Sequence, residues 1–281
     1  EPEAVIANVL ARHGNPYARG DLRHARSFDE MEQDVKAVTP EQLKAFHRRF
    51  LSAARGEFAA VGDIDVPAVT KALQAALGDW RQPAGGALAY QRVPQPLVAR
   101  TPQRFVELTP DKANANLMGM LSLPLSDRHP DHAALSLANY IFGLGGNSRL
   151  WTRIRETEGL SYDVRSVLDW SSIDDHTTWT VSAIFAPANQ PRVEAALKEE
   201  LARSLKDGFT QAELDQGRAG LLNFRRLARA QDAVVAGSLA QNLYLDRRFA
   251  FSQQVDEAMA ALTLDQLNAV WRKYIQPERL V

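Results

Sequence analysis

One pattern occurs twice in this sequence, near its two ends, and it constrains the fold more than any other feature. Val38-Thr39-Pro40-Glu41-Gln42-Leu43-Lys44-Ala45-Phe46 lines up without a gap against Leu262-Thr263-Leu264-Asp265-Gln266-Leu267-Asn268-Ala269-Val270, 224 positions later. The match runs on through Arg48-Arg49-Phe50 against Arg272-Lys273-Tyr274, and Arg55 against Arg279. Each copy opens with Thr-x-x-Gln, the signature of a capping box, followed by apolar residues at helical spacing. A period this long is a whole domain rather than a solenoid unit. The first copy continues into a predicted strand at Glu57–Val61, a Gly62-Asp63 break and a helix over Val66–Leu77 capped by Asp65. The second copy reaches Val281 where that strand is due, and the first lacks most of what precedes Thr263. The expected organisation is therefore the rear part of one domain (1–83), a linker (84–102), and a second domain (103–281) lacking its last strand and helix, with both ends cut.

Composition narrows the classes. Hydrophobic residues make up 45% and charged residues 24% of 281 residues, an ordinary globular balance in a chain long enough to bury a core unaided. Thirty-three basic against 34 acidic residues leave a net charge of -1 and no electrostatic basis for binding nucleic acid. The absence of cysteine excludes thiolate metal sites, disulfides and cysteine nucleophiles. No apolar run approaches the roughly 18 residues of a membrane helix, so no membrane span is expected, and Glu1-Pro2-Glu3 does not open a secretory leader. Pro83, Pro94, Pro96 and Pro102 with Gly85-Gly86 mark the linker.

The element order sets the fold class. Helices are predicted at Ala4–Leu10 and Phe28–Val35, then from Thr39. Past the linker, Arg104–Leu108 and Ala115–Leu123 read as strands and Asp131–Phe142 as a helix. Gly143, Gly145 and Gly146 predict a flexible loop. Asn147 or Ser148 can cap a helix to about Glu158, closed by Gly159. Leu160–Leu168 and Thr177–Phe185 read as strands, Gln190–Lys206 as a helix, and a capping box at Thr210–Glu213 opens helices running to about Ile275. This predicts an α+β fold, with helices packed on a mainly antiparallel sheet.

Several of these segments resemble the pitrilysin/insulinase-like (inverzincin) zinc metallopeptidases. Asn15-Pro16-Tyr17, the Thr39 helix, Val61-Gly62-Asp63-Ile64-Asp65 and Gly78-Asp79-Trp80 are similar to the second half of a family domain. Gly145-Gly146-Asn147-Ser148-Arg149-Leu150, Ile154-Arg155-Glu156 and Gly159-Leu160-Ser161-Tyr162 resemble the family's non-catalytic domain, and Asp207-Gly208-Phe209-Thr210 with Glu213-Leu214 its following helix. The resemblance covers nearly the whole chain and is most specific over 148–164. It implies tandem homologous metallopeptidase-like domains, the first incomplete here, in two halves that close like a clamshell around an unstructured peptide. Zinc then lies in the other half, on His-x-x-Glu-His, whose glutamate polarises the attacking water.

That motif does not occur here. His129-Pro130-Asp131-His132 comes nearest, but it carries no glutamate placed as a base and reads as a polar helix start; an independent metal site on His129 and His132 is the weakest alternative. His13, His24, His47 and His176 stand isolated. No catalytic residue and no metal ligand is expected in this chain, and the zinc of the parent protein is not bound by it. By the resemblance, Arg155 and Tyr162 match the arginine and tyrosine that the non-catalytic half contributes to the cleft. A guanidinium and a phenol are both hydrogen-bond donors, suited to anchor a peptide backbone and stabilise a developing oxyanion. The residues alone leave another reading open: a cation favoured in a last helical turn, and a strand tyrosine alternating with Leu160 and Val164 into the core. Arg149 and Arg153 are expected to be solvated or ion-paired, and Trp151 and Trp170 to be packing residues. The expected function is the non-catalytic, substrate-binding C-terminal part of a zinc endopeptidase. Its partners would be the zinc-bearing N-terminal half, on the same polypeptide or on a partner subunit, and a peptide substrate. The alternative is a catalytically inactive scaffold subunit. Exported bacterial relatives point to the periplasm, otherwise the cytoplasm.

Overall fold

The protein is described from a computed structural model over residues 1–81 and 91–281; the part of the predicted first domain and linker that falls on 82–90 lies outside the described residues. In chain order the helices α1 (Pro2–Arg12), α2 (Phe28–Ala37), α3 (Pro40–Phe50) and α4 (Val66–Leu77) precede strand β1 (Ala115–Leu123) and helix α5 (His132–Asn139). Strands β2 (Ser161–Asp169) and β3 (Thr177–Phe185) follow, then α6 (Gln190–Lys206), α7 (Gln211–Ala228), α8 (Asp232–Tyr244), α9 (Ala250–Ala261) and α10 (Leu264–Tyr274). The predicted α+β class holds. Two predicted strands do not form: 57–61 and 104–108 have no ladder partner among the described residues, and an isolated extended segment gains none of the cross-strand bonds that define a strand.

Two compact units are present. The first comprises residues 1–25, 94–225 and 252–281, and the second 26–93 and 226–251. The first unit is built on a three-stranded antiparallel sheet in the order β1-β3-β2. Along the central strand β3, the alternate residues Thr177, Trp179, Val181, Ala183 and Phe185 are all buried, the period-2 pattern of a sheet with one covered face. On the outer edge of β1, Val281 exchanges a pair of backbone bonds with Met120, N to O at 2.9 and 3.2 Å.

An aromatic cluster centres this unit. The Trp271 ring lies 5.0 Å from Phe142, 5.5 Å from Phe209 and 6.1 Å from Trp179, all four side chains being buried. Each indole N–H finds an acceptor, as buried polar groups must. Trp271 Nε1 donates to Ser204 Oγ at 2.9 Å and Trp179 Nε1 to Asn139 Oδ1 at 2.8 Å. Asn139 Oδ1 also accepts from Ser166 Oγ at 2.7 Å, and Asn139 Nδ2 donates to the Ser166 carbonyl at 3.0 Å. One buried amide thereby joins the end of α5 to both β2 and β3.

Directly after Asn139 the helix widens into a π-turn over Tyr140–Leu144, closed by Gly145 N–H donating to the Tyr140 carbonyl at 2.8 Å. Gly143 belongs to this turn rather than to the predicted flexible loop. A Cβ there would stand 2.5 Å from Ser166 Oγ and 2.8 Å from Ser166 N, so only glycine lets the turn approach β2 this closely.

The internal repeat shows what local sequence decides and what it does not. Both predicted capping boxes form: Thr39 Oγ1 accepts from Gln42 N at 3.2 Å while Thr39 N donates to Gln42 Oε1 at 2.8 Å, and Thr263 with Gln266 does the same at 3.3 and 2.9 Å. The matched apolar stripes have opposite fates. On α10, packed against α5, Leu267 is 0% and Tyr274 8% exposed. Their counterparts on α3, Leu43 and Phe50, are 61% and 48% exposed.

The predicted box at the head of α7 also forms and gains a partner. Thr210 Oγ1 accepts from Glu213 N, and Glu213 Oε2 accepts from Thr210 N at 2.8 Å. Arg149 then grips both Glu213 oxygens, at 2.5 and 2.7 Å, and donates to the Gly208 carbonyl at 2.8 Å. Burial pushes the Glu213 carboxyl up, but the Arg149 and Thr210 hydrogen bonds outweigh it, and its pKa lies below the ordinary value.

Two outcomes follow for stability. Asn139→Ala leaves the Trp179 N–H and the Ser166 hydroxyl without their shared acceptor, at about 1–3 kcal/mol for each orphaned group; the urea midpoint should fall accordingly, with an unchanged slope. Because the folded pKa of Glu213 is depressed, its ion pair stabilises fully above the unfolded value of about 4.3 and is lost as pH falls through the folded pKa. The stability gap between the wild type and Glu213→Gln should therefore be constant near neutrality and shrink on acidification below about pH 4.

Candidate functional site

The site predicted from sequence lies in the first unit, where two local irregularities meet. The chain after Ser148 turns helical at Arg149 and widens into a second π-turn over Trp151–Thr157, with Glu158 N–H donating to the Arg153 carbonyl at 3.1 Å. The Ser148 side chain does not cap it: its hydroxyl is buried and finds no hydrogen-bond partner. The turn ends as predicted at Gly159, whose φ of 61° is the left-handed conformation that glycine tolerates. Leu160 N–H donates back to the Ile154 carbonyl at 2.9 Å, and β2 begins.

The second irregularity is a β-bulge. Ser161 pairs with Phe185 and Asp163 with the adjacent Ile184, so β2 carries one extra residue, Tyr162, against β3. The Ser161 hydroxyl lies 2.7 Å from both the Asp163 and the Ile184 carbonyl oxygens and pins the bulge. The consequence is decisive for Tyr162. Plain alternation with Val164 and Ser166, both buried, would point it into the core. The bulge puts Ser161 inside and turns Tyr162 out, where it is 78% exposed. The core reading of Tyr162 that spacing had left open is thereby overturned.

Arg155 and Tyr162 come together. Arg155 Nη1 donates to the Tyr162 carbonyl at 2.7 Å, and the guanidinium carbon sits 5.1 Å from the centre of the Tyr162 ring. The guanidinium also stacks over the Trp151 indole at 4.1 Å. Trp151 Nε1 donates to Glu156 Oε1 at 3.2 Å, one π-turn further along. Nε and Nη2 of Arg155 and the Tyr162 hydroxyl have no protein acceptor among the described residues. The group is thus a partly exposed cation in contact with two aromatic rings, with hydrogen-bond donors that no described residue takes up.

Trp151, expected from sequence to be a packing residue, stacks against Arg155. An aromatic four residues before an arginine on one helical stretch was the signal that could have found it. Trp170 meets His132, ring centres 4.5 Å apart. Arg149 and Arg153 are ion-paired, as expected. Arg153 binds Glu158 at 2.6 Å, Glu199 at 2.7 Å and the fully buried Glu200 at 3.1 Å.

No group of three or more His, Asp or Glu side chains that could hold a metal ion is found among the described residues. His129 Nδ1 accepts from the Asp131 N–H at 3.0 Å and its ring abuts Tyr274, while His132 packs edge-on against Trp170. No helix is long and apolar enough to cross a membrane among the described residues.

The sequence matches the model of the peptidase M16 inactive domain over residues 37–221. An uncharacterized zinc protease of Mycobacterium leprae is 30% identical over 227 residues, covering 76% of this chain and 49% of the relative. One from Mycobacterium bovis is 31% identical over 231 residues, covering 76% and 50%. The chain spans about half the length of these curated relatives. Among solved structures, a peptidase M16 inactive domain from Pseudomonas fluorescens matches with a TM-score of 0.69 at 23% identity, over 100% of this chain and 64% of that one. The periplasmic protease PqqL from Escherichia coli matches at 0.59 and 14% identity, over 98% and 29%. These two likenesses concern the fold. The family match over most of the chain, with zinc proteases as relatives, carries the conclusion that this chain belongs to the peptidase M16 inactive-domain family.

Proposed function

We propose that this chain is the non-catalytic, substrate-binding part of a zinc-dependent peptidase, closing over an unstructured peptide opposite a half that holds the zinc. The observation that carries this reading is the exposed Arg155–Tyr162 pair, brought together by a π-turn and a β-bulge with its remaining donors facing outward. A protein that needed these residues only for packing would have no use for a bulge that expels a tyrosine from the core. In this reading the zinc belongs to the partner half, on the same polypeptide or another, and this chain supplies no metal ligand. Arg155 Nε and Nη2 and the Tyr162 hydroxyl donate to the carbonyl oxygens of the bound peptide. Donors held in place before the reaction stabilise the charge that builds on the scissile oxygen without reorganising. The periplasm is the proposed compartment, on the likeness to a periplasmic protease.

A catalytically silent scaffold is the competing function. Arg155 spends one donor on the Tyr162 carbonyl, as a purely structural latch would. Tyr162→Phe separates the two, because it removes the hydroxyl and keeps the ring under Arg155. In the complete peptidase, cleavage of an unstructured fluorogenic peptide should lose about 10²–10³ in kcat if the phenol serves the oxyanion, with zinc content and thermal midpoint unchanged. Unaltered cleavage would move the scaffold to first place.

A further inference from the structure

Within the site just proposed, and resting on that reading, we infer that Trp151 is the positioning residue of Arg155. An arginine side chain has several rotatable bonds, and an exposed one loses much of its effect to the entropy of being held. Here three contacts remove that freedom. The Trp151 indole stacks against one side of the guanidinium at 4.1 Å, and the Tyr162 ring flanks it at 5.1 Å. Nη1 is tied to the Tyr162 carbonyl at 2.7 Å, which leaves Nε and Nη2 as the donors offered outward. Trp151 is itself oriented, since its Nε1 donates to Glu156 Oε1 at 3.2 Å. That bond spans five residues, the reach of the π-turn on which both lie. The widened turn thus carries the indole and the guanidinium on one side, with the glutamate behind the indole.

The role differs from substrate contact: Trp151 acts on the reaction only through Arg155. A cation–π contact at a partly exposed site is modest, and losing it is expected to cost about two- to fivefold. The test uses Trp151→Leu, which keeps an apolar side chain but no π-face, Trp151→Phe, which keeps the face, Arg155→Ala, and the Trp151→Leu/Arg155→Ala double variant, all in the complete peptidase. The expected result is a loss of about two- to fivefold in kcat/KM for Trp151→Leu, carried by kcat, most of it recovered in Trp151→Phe. The double variant should be no worse than Arg155→Ala alone. Independently of activity, the Arg155 side-chain Nε–H resonance of this chain should lose order in Trp151→Leu and keep it in Trp151→Phe. If Arg155→Ala lowers cleavage while Trp151→Leu leaves it and the Nε–H order untouched, the inference fails and the proposed function stands. Fully additive losses in the double variant would likewise overturn it, as Trp151 would then act without Arg155. A silent Arg155→Ala sinks both.

Discussion

Asn139 sits where the long middle of the chain is fastened to its sheet. Its side-chain oxygen takes the indole proton of Trp179 and the hydroxyl proton of Ser166, and its amide returns a bond to the Ser166 backbone. In a water-free interior an amide with unmet valences is costly, so such a group tolerates one arrangement and excludes its neighbours. A one-residue slip of β2 against β3 would carry Ser166 away from Asn139 and turn Val164 to solvent. The π-turn after Asn139 is part of the same constraint, because it brings Gly143 onto β2 at a distance no side chain permits. The register so secured places the bulge at Tyr162, five residues along the strand from Val167, and the direction in which Tyr162 points follows from it.

The repeated helices separate local from tertiary information. Thr39 and Thr263 make the same reciprocal bonds with Gln42 and Gln266, and both helices run eleven residues. Capping depends on four consecutive residues and is complete wherever those residues occur. Burial depends on what lies opposite. Leu267 and Tyr274 have α5 before them, while Leu43 and Phe50 stay largely exposed. An amphipathic stripe therefore predicts a helix reliably and predicts a covering partner only as a requirement. The failed strands at 57–61 and 104–108 follow the same rule, since a β-rich segment becomes a strand only in the presence of a neighbour.

Much of the fold was legible because most of it obeys the two regular periods. β1 and β3 form over the residues expected from the sequence, β3 on its β-branched and aromatic content, and the expected caps at Thr39, Asp65, Thr210 and Thr263 all lie at the heads of helices. The ingredients of the contact between Arg155 and Tyr162 were legible too: one helix end, one terminating glycine and one strand start. The orientation of Tyr162 was not. A bulge and a π-turn each add one residue to a regular element, and one added residue inverts a face count without altering composition. Their determinants are distributed: a serine hydroxyl that reaches two carbonyls, and a glycine that makes room for a strand. None of these is visible until the elements are placed side by side.

The π-turn that carries Arg155 is held from the side opposite the site. Arg149 and Arg153 project toward the protein, where Glu213 at the head of α7 and Glu199 and Glu200 on α6 receive them. Glu200 is fully buried, and its two oxygens meet Arg153 and Arg203. Glu158, at the end of the same turn, completes the grip on Arg153. Trp151 and Arg155 alternate with these anchors and face away from them. A widened turn is less favourable than an α-helical one and persists when its surroundings over-determine it. Four carboxylates on one side do so here. The exposed side is thereby left free to carry an arginine and two aromatic rings in an arrangement that the turn alone would not maintain.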